Sequence, residues 1–349
     1  MDTPNSLCKP DSLFKSAFRS FLKSFCAITG LFLAFFLIFS IFAPFHEKIT
    51  SELTILPDLN GETKTLSSSA PVVVQLNIHG IIGDKNNLNI DSIREGLLET
   101  RIGFFKKDRV KAILLHLNTP GGTVIDSDSI YTLLKNYKTK YKVPIYAYVE
   151  GMCASGGMYI AASCNKIYSS PVSTIGSVGV LMGPFFNLYK MLDKIGVDST
   201  VLTEGKNKDI LSPFRPWQED ETDSLKPLAA YIYERFVNIV TQARPALNKE
   251  KLINEYGAKV FSAPEAEKLG YIDFGNSSYE AALRDLLKEA KIDEKKPYQV
   301  VQVKTKKPWA SELFSKSWLF KNKITHELDF GPLSKLETNL AYLYLPQGY

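Results

Sequence analysis

Pro144-Ile145-Tyr146-Ala147-Tyr148-Val149-Glu150-Gly151-Met152-Cys153-Ala154-Ser155-Gly156-Gly157-Met158-Tyr159-Ile160-Ala161-Ala162 is the stretch from which the rest of the chain can be read. Its first six residues form an apolar run that reads as a buried strand, and Met158 to Ala162 read as the start of a helix. The small residues between them let the backbone turn sharply. They hold one hydroxyl, that of Ser155, at a helix N-terminus, where the dipole and free amides favour negative charge. A serine nucleophile needs that geometry. A serine helix cap beside packing glycines would leave the same sequence.

A second glycine pair lies upstream. Val110 to Leu117 reads as a strand and runs into Asn118-Thr119-Pro120-Gly121-Gly122, with helical spacing after it at Ile125, Ile130, Leu133 and Leu134. Pro120 fixes the approach, and the two glycines let a bound carbonyl come close to main-chain N–H groups. Such amides stabilise an oxyanion, usually the largest electrostatic contribution in acyl transfer. An ordinary strand-to-helix turn has the same composition.

A serine hydroxyl needs a base. The four histidines are His46, His79, His116 and His326, and none has a local setting that argues for a triad. The alternative is lysine. Gly205-Lys206-Asn207-Lys208-Asp209-Ile210 follows the strand-like Ser199 to Thr203. A lysine side chain titrates near 10.4 in water, so a lysine base must be desolvated or set beside positive charge. A loop closing over an apolar cleft would do this. Two solvated loop lysines are the plain alternative.

Taken in order, these motifs resemble the signal peptide peptidase A family of bacterial membrane serine proteases, which use a Ser-Lys dyad. The resemblance rests on Asn118-Thr119-Pro120-Gly121-Gly122, Ala154-Ser155-Gly156-Gly157, Ser173-Thr174-Ile175-Gly176-Ser177-Val178-Gly179-Val180, and Gly205-Lys206-Asn207-Lys208 with Ser212-Pro213. The run from Val260 to Asp273 resembles the family's closing helix and turn, with Ser262-Ala263-Pro264 in place of the more usual Gly-containing stretch. The resemblance covers roughly residues 70 to 290. It implies Ser155 as nucleophile, Lys208 rather than Lys206 as general base, and the amide of Gly156 with that of Gly121 or Gly122 as the oxyanion hole. It also implies a ClpP/crotonase-like α/β fold of repeated ββα units and a dome-like homo-oligomer. Its substrates would be apolar peptides, above all remnant signal peptides. No cofactor and no metal are implied. Some members of the family carry two tandem copies of the domain with the dyad split between them. This chain shows one copy with residues matching both members of the dyad, so it resembles the short form.

The sequence supports an α/β fold independently. Strands expected at about 71–78, 111–117, 144–149 and 198–203 alternate with helices near 126–139, 155–164, 185–195 and 218–242. Ser173 to Gly183 is Gly-rich and apolar. It reads as a groove wall to which a peptide could add as a strand, or as ordinary hairpin packing.

Ser24 to Phe45 carries no charge and is long enough to span a bilayer, and Lys9, Lys15, Arg19 and Lys23 precede it. The expected organisation is therefore a cytoplasmic segment 1–23, a transmembrane signal anchor 24–45, a linker 46–70, a protease domain 71–295 and a C-terminal extension 296–349 that contacts other subunits. That topology expects a single pass through the bacterial inner membrane, with the catalytic domain on the periplasmic side. A cleaved signal peptide would have a shorter apolar region and an Ala-x-Ala-like site, which this chain lacks.

About 280 residues remain beyond the anchor and linker, enough for one large α/β domain. At 45% hydrophobic and 23% charged residues, that part should fold. The net charge of +5 comes from residues before the anchor and after Lys288, which argues against nucleic acid as a partner. Of Cys8, Cys26, Cys153 and Cys164, only the last two lie in the exported part, so there is no disulfide framework. Cys153 stands two residues before Ser155 and reads as a buried small hydrophobe rather than a thiol nucleophile. Tyr298 to Val303 alternates like a strand. Trp309, Phe314, Trp318, Leu319 and Phe320 are scattered among lysines, and Leu340 to Leu345 reads as a further strand at a subunit contact or near a groove. Two rivals share the fold: a non-catalytic membrane scaffold and a crotonase-like enzyme acting on an acyl-CoA thioester.

Overall fold

The computed structural model describes residues 13–42, 50–63, 69–84, 87–306 and 340–343. His46, His326, Cys8 and the aromatic stretch 309–320 lie outside the described residues. The chain divides into two units, Met1–Lys48 and Ile49–Tyr349.

The first unit is helix α1 (Leu13–Phe42). Its stretch Lys15–Ile38 is long and apolar enough to cross a membrane. The helix begins well before the uncharged run, because Lys15, Arg19 and Lys23 are good helix formers and extend it toward Leu13.

The second unit is a sheet between helical layers. In chain order its elements are β1 (Thr50–Leu56), β2 (Val72–His79), α2 (Ile90–Glu99), β3 (Val110–Thr119), β4 (Gly121–Thr123) and α3 (Val124–Tyr141). Then come β5 (Ile145–Ala154), α4 (Gly156–Ala161), β6 (Lys166–Ser169), β7 (Thr174–Gly176), β8 (Leu181–Met182) and α5 (Tyr189–Lys194). The remainder is α6 (Leu225–Ala243), the single turn α7 (Lys249–Lys251), β9 (Val260–Ser262), α8 (Ala263–Leu269), α9 (Tyr279–Glu289), β10 (Gln299–Lys306) and β11 (Leu340–Leu343).

The large sheet has the order β1-β10-β2-β3-β5-β7-β9, with β6 also paired to β5. Its centre, from β10 to β7, is parallel, and β1 and β9 join antiparallel. The central strands are apolar throughout because both faces are covered. Val72, Val74, Leu76, Ile113 and Leu115 pack with α2, α3, α4 and α6, while Val73, Leu114 and Tyr146 pack with α9.

The expected strands at 71–78, 111–117 and 144–149 form, each within two residues at its start. The expected strand at 198–203 does not. That segment has no regular structure, and Leu202 is 94% exposed, because no neighbouring strand among the described residues offers it a ladder. The sheet also crosses the expected domain boundaries. β1 comes from the region read as linker and β10 from the region read as extension. β10 is wedged between β1 and β2 with Val300 and Val301 fully buried. Burial of that alternating run costs no unpaired backbone, since both its edges are laddered.

Candidate active site

Strand β5 ends in a sharp turn at Ser155, whose backbone sits at φ 54° and ψ −115°. A non-glycine residue there is strained, by about 1–3 kcal/mol. The turn is held from both sides: the Ser155 amide donates to the carbonyl of Gly176 at 2.9 Å, and its carbonyl accepts from Tyr159 N at 3.1 Å, opening α4. The two following residues must be glycine. A Cβ on Gly156 would lie 2.4 Å from Ser127 Oγ, and one on Gly157 would lie 2.7 Å from Thr119 Cγ2. The elbow is thus wedged between α3 and the end of β3. Ser155 is 1% exposed, and its side chain makes no capping hydrogen bond.

The second glycine turn comes up against the first. Ile82 N donates to Gly121 O and Thr123 N donates to Ile82 O, both at 2.9 Å. These bonds press Gly122 so close to Ile82 that a Cβ on Gly122 would overlap the Ile82 carbonyl oxygen at 1.8 Å. The Gly122 nitrogen is 3.3 Å from where a Gly156 Cβ would stand. The two turns that the sequence suggested therefore meet at Ser155. Their amides differ in availability. Gly121 N donates to Thr119 Oγ1 at 3.0 Å. In an extended strand, successive residues direct their N–H and C=O to opposite sides. Since Gly121 O and Thr123 N both face Ile82, the Gly122 amide faces the other way.

Lys208 is not joined to Ser155. It is exposed on the loop after Gly205, and among the described residues no hydrogen bond or ion pair links the two. That loop is nonetheless pinned. Arg215 pairs with Asp209 at 2.6 Å and with Glu221, and donates from Nη2 to the Asp209 carbonyl at 2.9 Å. Glu221, only 6% exposed at its side chain, also accepts from Leu211 N at 2.7 Å. Arg215 holds the Asp209 and Glu221 carboxyls below the ordinary carboxylate range through these hydrogen bonds. Nothing in the spacing of Asp209, Arg215 and Glu221 announces this clamp, which depends on the fold of the loop. Upstream of it, Met191, Ile195, Val201 and Leu202 are exposed, an apolar arm that the other described residues leave uncovered.

Cys153 is fully buried, with its Sγ 3.7 Å from Met158 Sδ, and burial pushes its thiol far above the usual range. The core reading of that cysteine holds, since only a thiolate attacks. A histidine cluster was not legible in sequence. His79 Nε2 lies 3.0 Å from His116 Nδ1, and His116 Nε2 lies 2.9 Å from Glu150 Oε2. The cluster sits beside Tyr148 and Tyr279, on the sheet face that carries α9. Among the described residues no group of three His, Cys, Asp or Glu side chains is placed to hold a metal ion.

The profile of peptidase family S49 matches residues 137–293, and that of the NfeD1b N-terminal domain matches residues 89–184. A protein of Enterococcus faecium bearing the name signal peptide peptidase SppA is 30% identical over 239 residues, covering 67% of this chain and 68% of that one. A protein of Synechocystis sp. named as a protease is 36% identical over 168 residues, covering 48% of this chain and 59% of that one. Among solved structures, the membrane-bound stomatin-specific protease 1510-N in complex with a substrate peptide covers 71% of this chain and 97% of that chain. It has a TM-score of 0.41 and 19% identity. The match to the Enterococcus faecium protein, which runs through two thirds of both sequences, means that this chain belongs to peptidase family S49, among the signal peptide peptidase SppA proteins.

Proposed function

We propose that this protein is a membrane-anchored serine endopeptidase in which Ser155 is the nucleophile and Lys208 the general base. The observation that carries this reading is the meeting of Gly122 and Gly156 at a strained, buried Ser155. The neutral amine of Lys208 takes the proton of Ser155 Oγ, and Oγ attacks a peptide carbonyl carbon. The amides of Gly156 and of the Gly121-Gly122 turn, with Gly122 better disposed, hold the resulting oxyanion. The C–N bond breaks as Lys208 gives its proton to the leaving amine; the Lys208 amine, neutral again, then takes a proton from a water that attacks the acyl carbon, and returns it to Ser155 Oγ as the ester bond breaks.

Lys208 is exposed in the single chain, and a lysine works as a base only when water is stripped from it. The exposed apolar arm before it favours a homo-oligomer, in which a second copy covers Met191, Ile195 and Leu202 and completes the surroundings of Lys208. Helix α1 would hold this assembly at the inner membrane with the catalytic unit on the periplasmic side, close to its substrates: remnant signal peptides and other apolar peptides.

The test is a fluorophosphonate serine probe applied to the membrane-solubilised full chain, beside Ser155→Ala and Lys208→Ala variants. Labelling of the parent that disappears in both variants is the expected result. Labelling that survives Ser155→Ala overturns the assignment of the nucleophile. A folded, oligomeric parent that takes no label would favour the non-catalytic scaffold.

A further inference from the structure

Asp126 stands three residues after Thr123, whose side chain caps α3. In a Thr-x-x-Asp arrangement the acid ordinarily returns to the backbone N–H of the capping residue. Here that N–H is taken, because Thr123 N donates to Ile82 O at 2.9 Å. The carboxylate goes elsewhere. Its Oδ2 accepts from the Thr123 hydroxyl at 2.6 Å, and its Oδ1 accepts from Ile90 N at 2.8 Å. Ile90 is the first residue of α2, so its N–H has no partner within its own helix. One acid thus joins the N-termini of two helices, where negative charge is favoured.

Between those two helices lies the segment that shapes the oxyanion hole. Ile82 meets β4 through a single-residue parallel bridge to Gly122, with its N–H on Gly121 O and its C=O on Thr123 N. That bridge leaves the Gly122 N–H on the opposite side, where Gly156 stands. The segment is tied back to α2 by Gly83 N, which donates to Leu88 O at 2.7 Å. Gly83, at φ 94°, lies flat on the clamp. A Cβ there would stand 2.4 Å from Thr123 Cγ2 and 3.2 Å from Asp126 Oδ2. Ile82 is fully buried, with its Cδ1 3.2 Å from where a Gly156 Cβ would lie.

We infer that Asp126 is a positioning residue for the oxyanion hole. By fastening the start of α2 to Thr123 it holds Ile82 against β4, and so fixes where the Gly122 amide points as charge develops on the substrate oxygen. Its own hydrogen bonds go to Ile90 and Thr123, neither of which reacts. The inference rests on the peptidase reading and adds to it a residue outside the dyad on which the chemical step depends.

The test separates binding from chemistry with the fluorophosphonate probe on the membrane-solubilised full chain. Ser155 Oγ attacks phosphorus, the P–F bond breaks, fluoride leaves and Lys208 takes the hydroxyl proton, while the phosphoryl oxygen occupies the place of the substrate oxyanion. The dependence of labelling rate on probe concentration gives kinact for that step and KI for binding. Asp126→Ala should lower kinact about tenfold or more and change KI by less than about twofold. Asp126→Asn keeps an oxygen for Ile90 N and an N–H for Thr123 Oγ1, and its kinact should stay within about threefold of the parent's. Gly83→Ala leaves Asp126 in place but pushes the segment off Thr123, and should lose kinact as Asp126→Ala does; it decides alone if Asp126→Ala does not fold. Ser92→Ala loosens the α2 capping box without touching the clamp, and should melt lower with the parent's kinact. Parental kinact in Asp126→Ala or Gly83→Ala, from a parent that labels, removes the positioning role and leaves the peptidase standing. An equal fall in Ser92→Ala also overturns the inference, since any loosening of α2 would then suffice. A parent that takes no label removes the peptidase reading and the inference with it.

Discussion

The backbone nitrogen of Gly122 and the α-carbon face of Gly156 are so close that a methyl group on Gly156 would stand 3.3 Å from that nitrogen and 2.4 Å from Ser127 Oγ. Gly156→Ala should therefore destabilise the protein by about 1–3 kcal/mol and lower turnover by about a hundredfold or more as the amides move apart. Adding Ser127→Ala removes the nearest atom at the loss of one hydrogen bond to Thr123 O. The double variant should unfold at a higher temperature than additivity predicts, by thermal melts of all four proteins. Strict additivity would mean that the elbow has room to shift.

The backbone of Ser155 gives a second handle. Its positive φ strains serine and alanine alike and suits glycine. Ser155→Gly and Ser155→Ala should both be inactive towards the probe, but the glycine variant should be more stable by about 1 kcal/mol. Denaturant titration of the pair measures the difference. Equal stability would mean that the surrounding bonds, rather than the residue, absorb the strain.

Arg215 holds the loop that carries Lys208 and touches neither Ser155 nor the glycine turns. Arg215→Ala should cut kcat about tenfold or more by loosening that loop, with little change in thermal stability. Arg215→Lys should fail to rescue it, because an ammonium cannot hold the Asp209 side chain, the Asp209 carbonyl and Glu221 at once. The two carboxyls are held below their ordinary range by the Arg215 hydrogen bonds, so the clamp keeps its charge to lower pH than free carboxylates would. An Arg215→Ala protein with parental kcat would remove the positioning role.

Burial first, and the neighbouring His116 second, hold His79 below the ordinary imidazole value. The unfolded chain then takes up the proton before the folded one does. Stability from this site is present above about pH 6.5 and is lost as the pH falls through the lower folded value. The melting temperature should drop from pH 6.5 to 5, and His79→Gln should flatten that part of the curve. Tyr148 and Tyr279 lie against the pair with their hydroxyls pushed up by burial, so both stay neutral across this range. Parallel curves for the two proteins would assign the acid sensitivity elsewhere.

What could be read from sequence was local. The Ser155 elbow and the Gly121-Gly122 turn each sit where a strand meets a helix, and small residues with apolar flanks mark such places in one dimension. The alternation of strands and helices set the fold class for the same reason. What escaped was long-range. Val201 and Leu202 have strand-like composition, yet they find no neighbouring strand and stay exposed. Val300 and Val301 have the same composition and are buried between β1 and β2. His79 and His116 meet only because the parallel register of β2 and β3 sets His79 opposite Asn118 and His116 opposite Asn77, one diagonal apart. Composition proposes a strand, and the partner decides whether it forms.

The position of β10 has a consequence in time. It pairs in parallel with β2, from which most of the chain separates it, and β1 can join the sheet only through β10. As the chain is made, one edge of β2 stays bare until residues 299–306 appear. Such late, non-local pairing slows folding and leaves an adhesive edge open meanwhile. A chain that closes its large sheet this late carries an unpaired edge of β2 through most of its own synthesis.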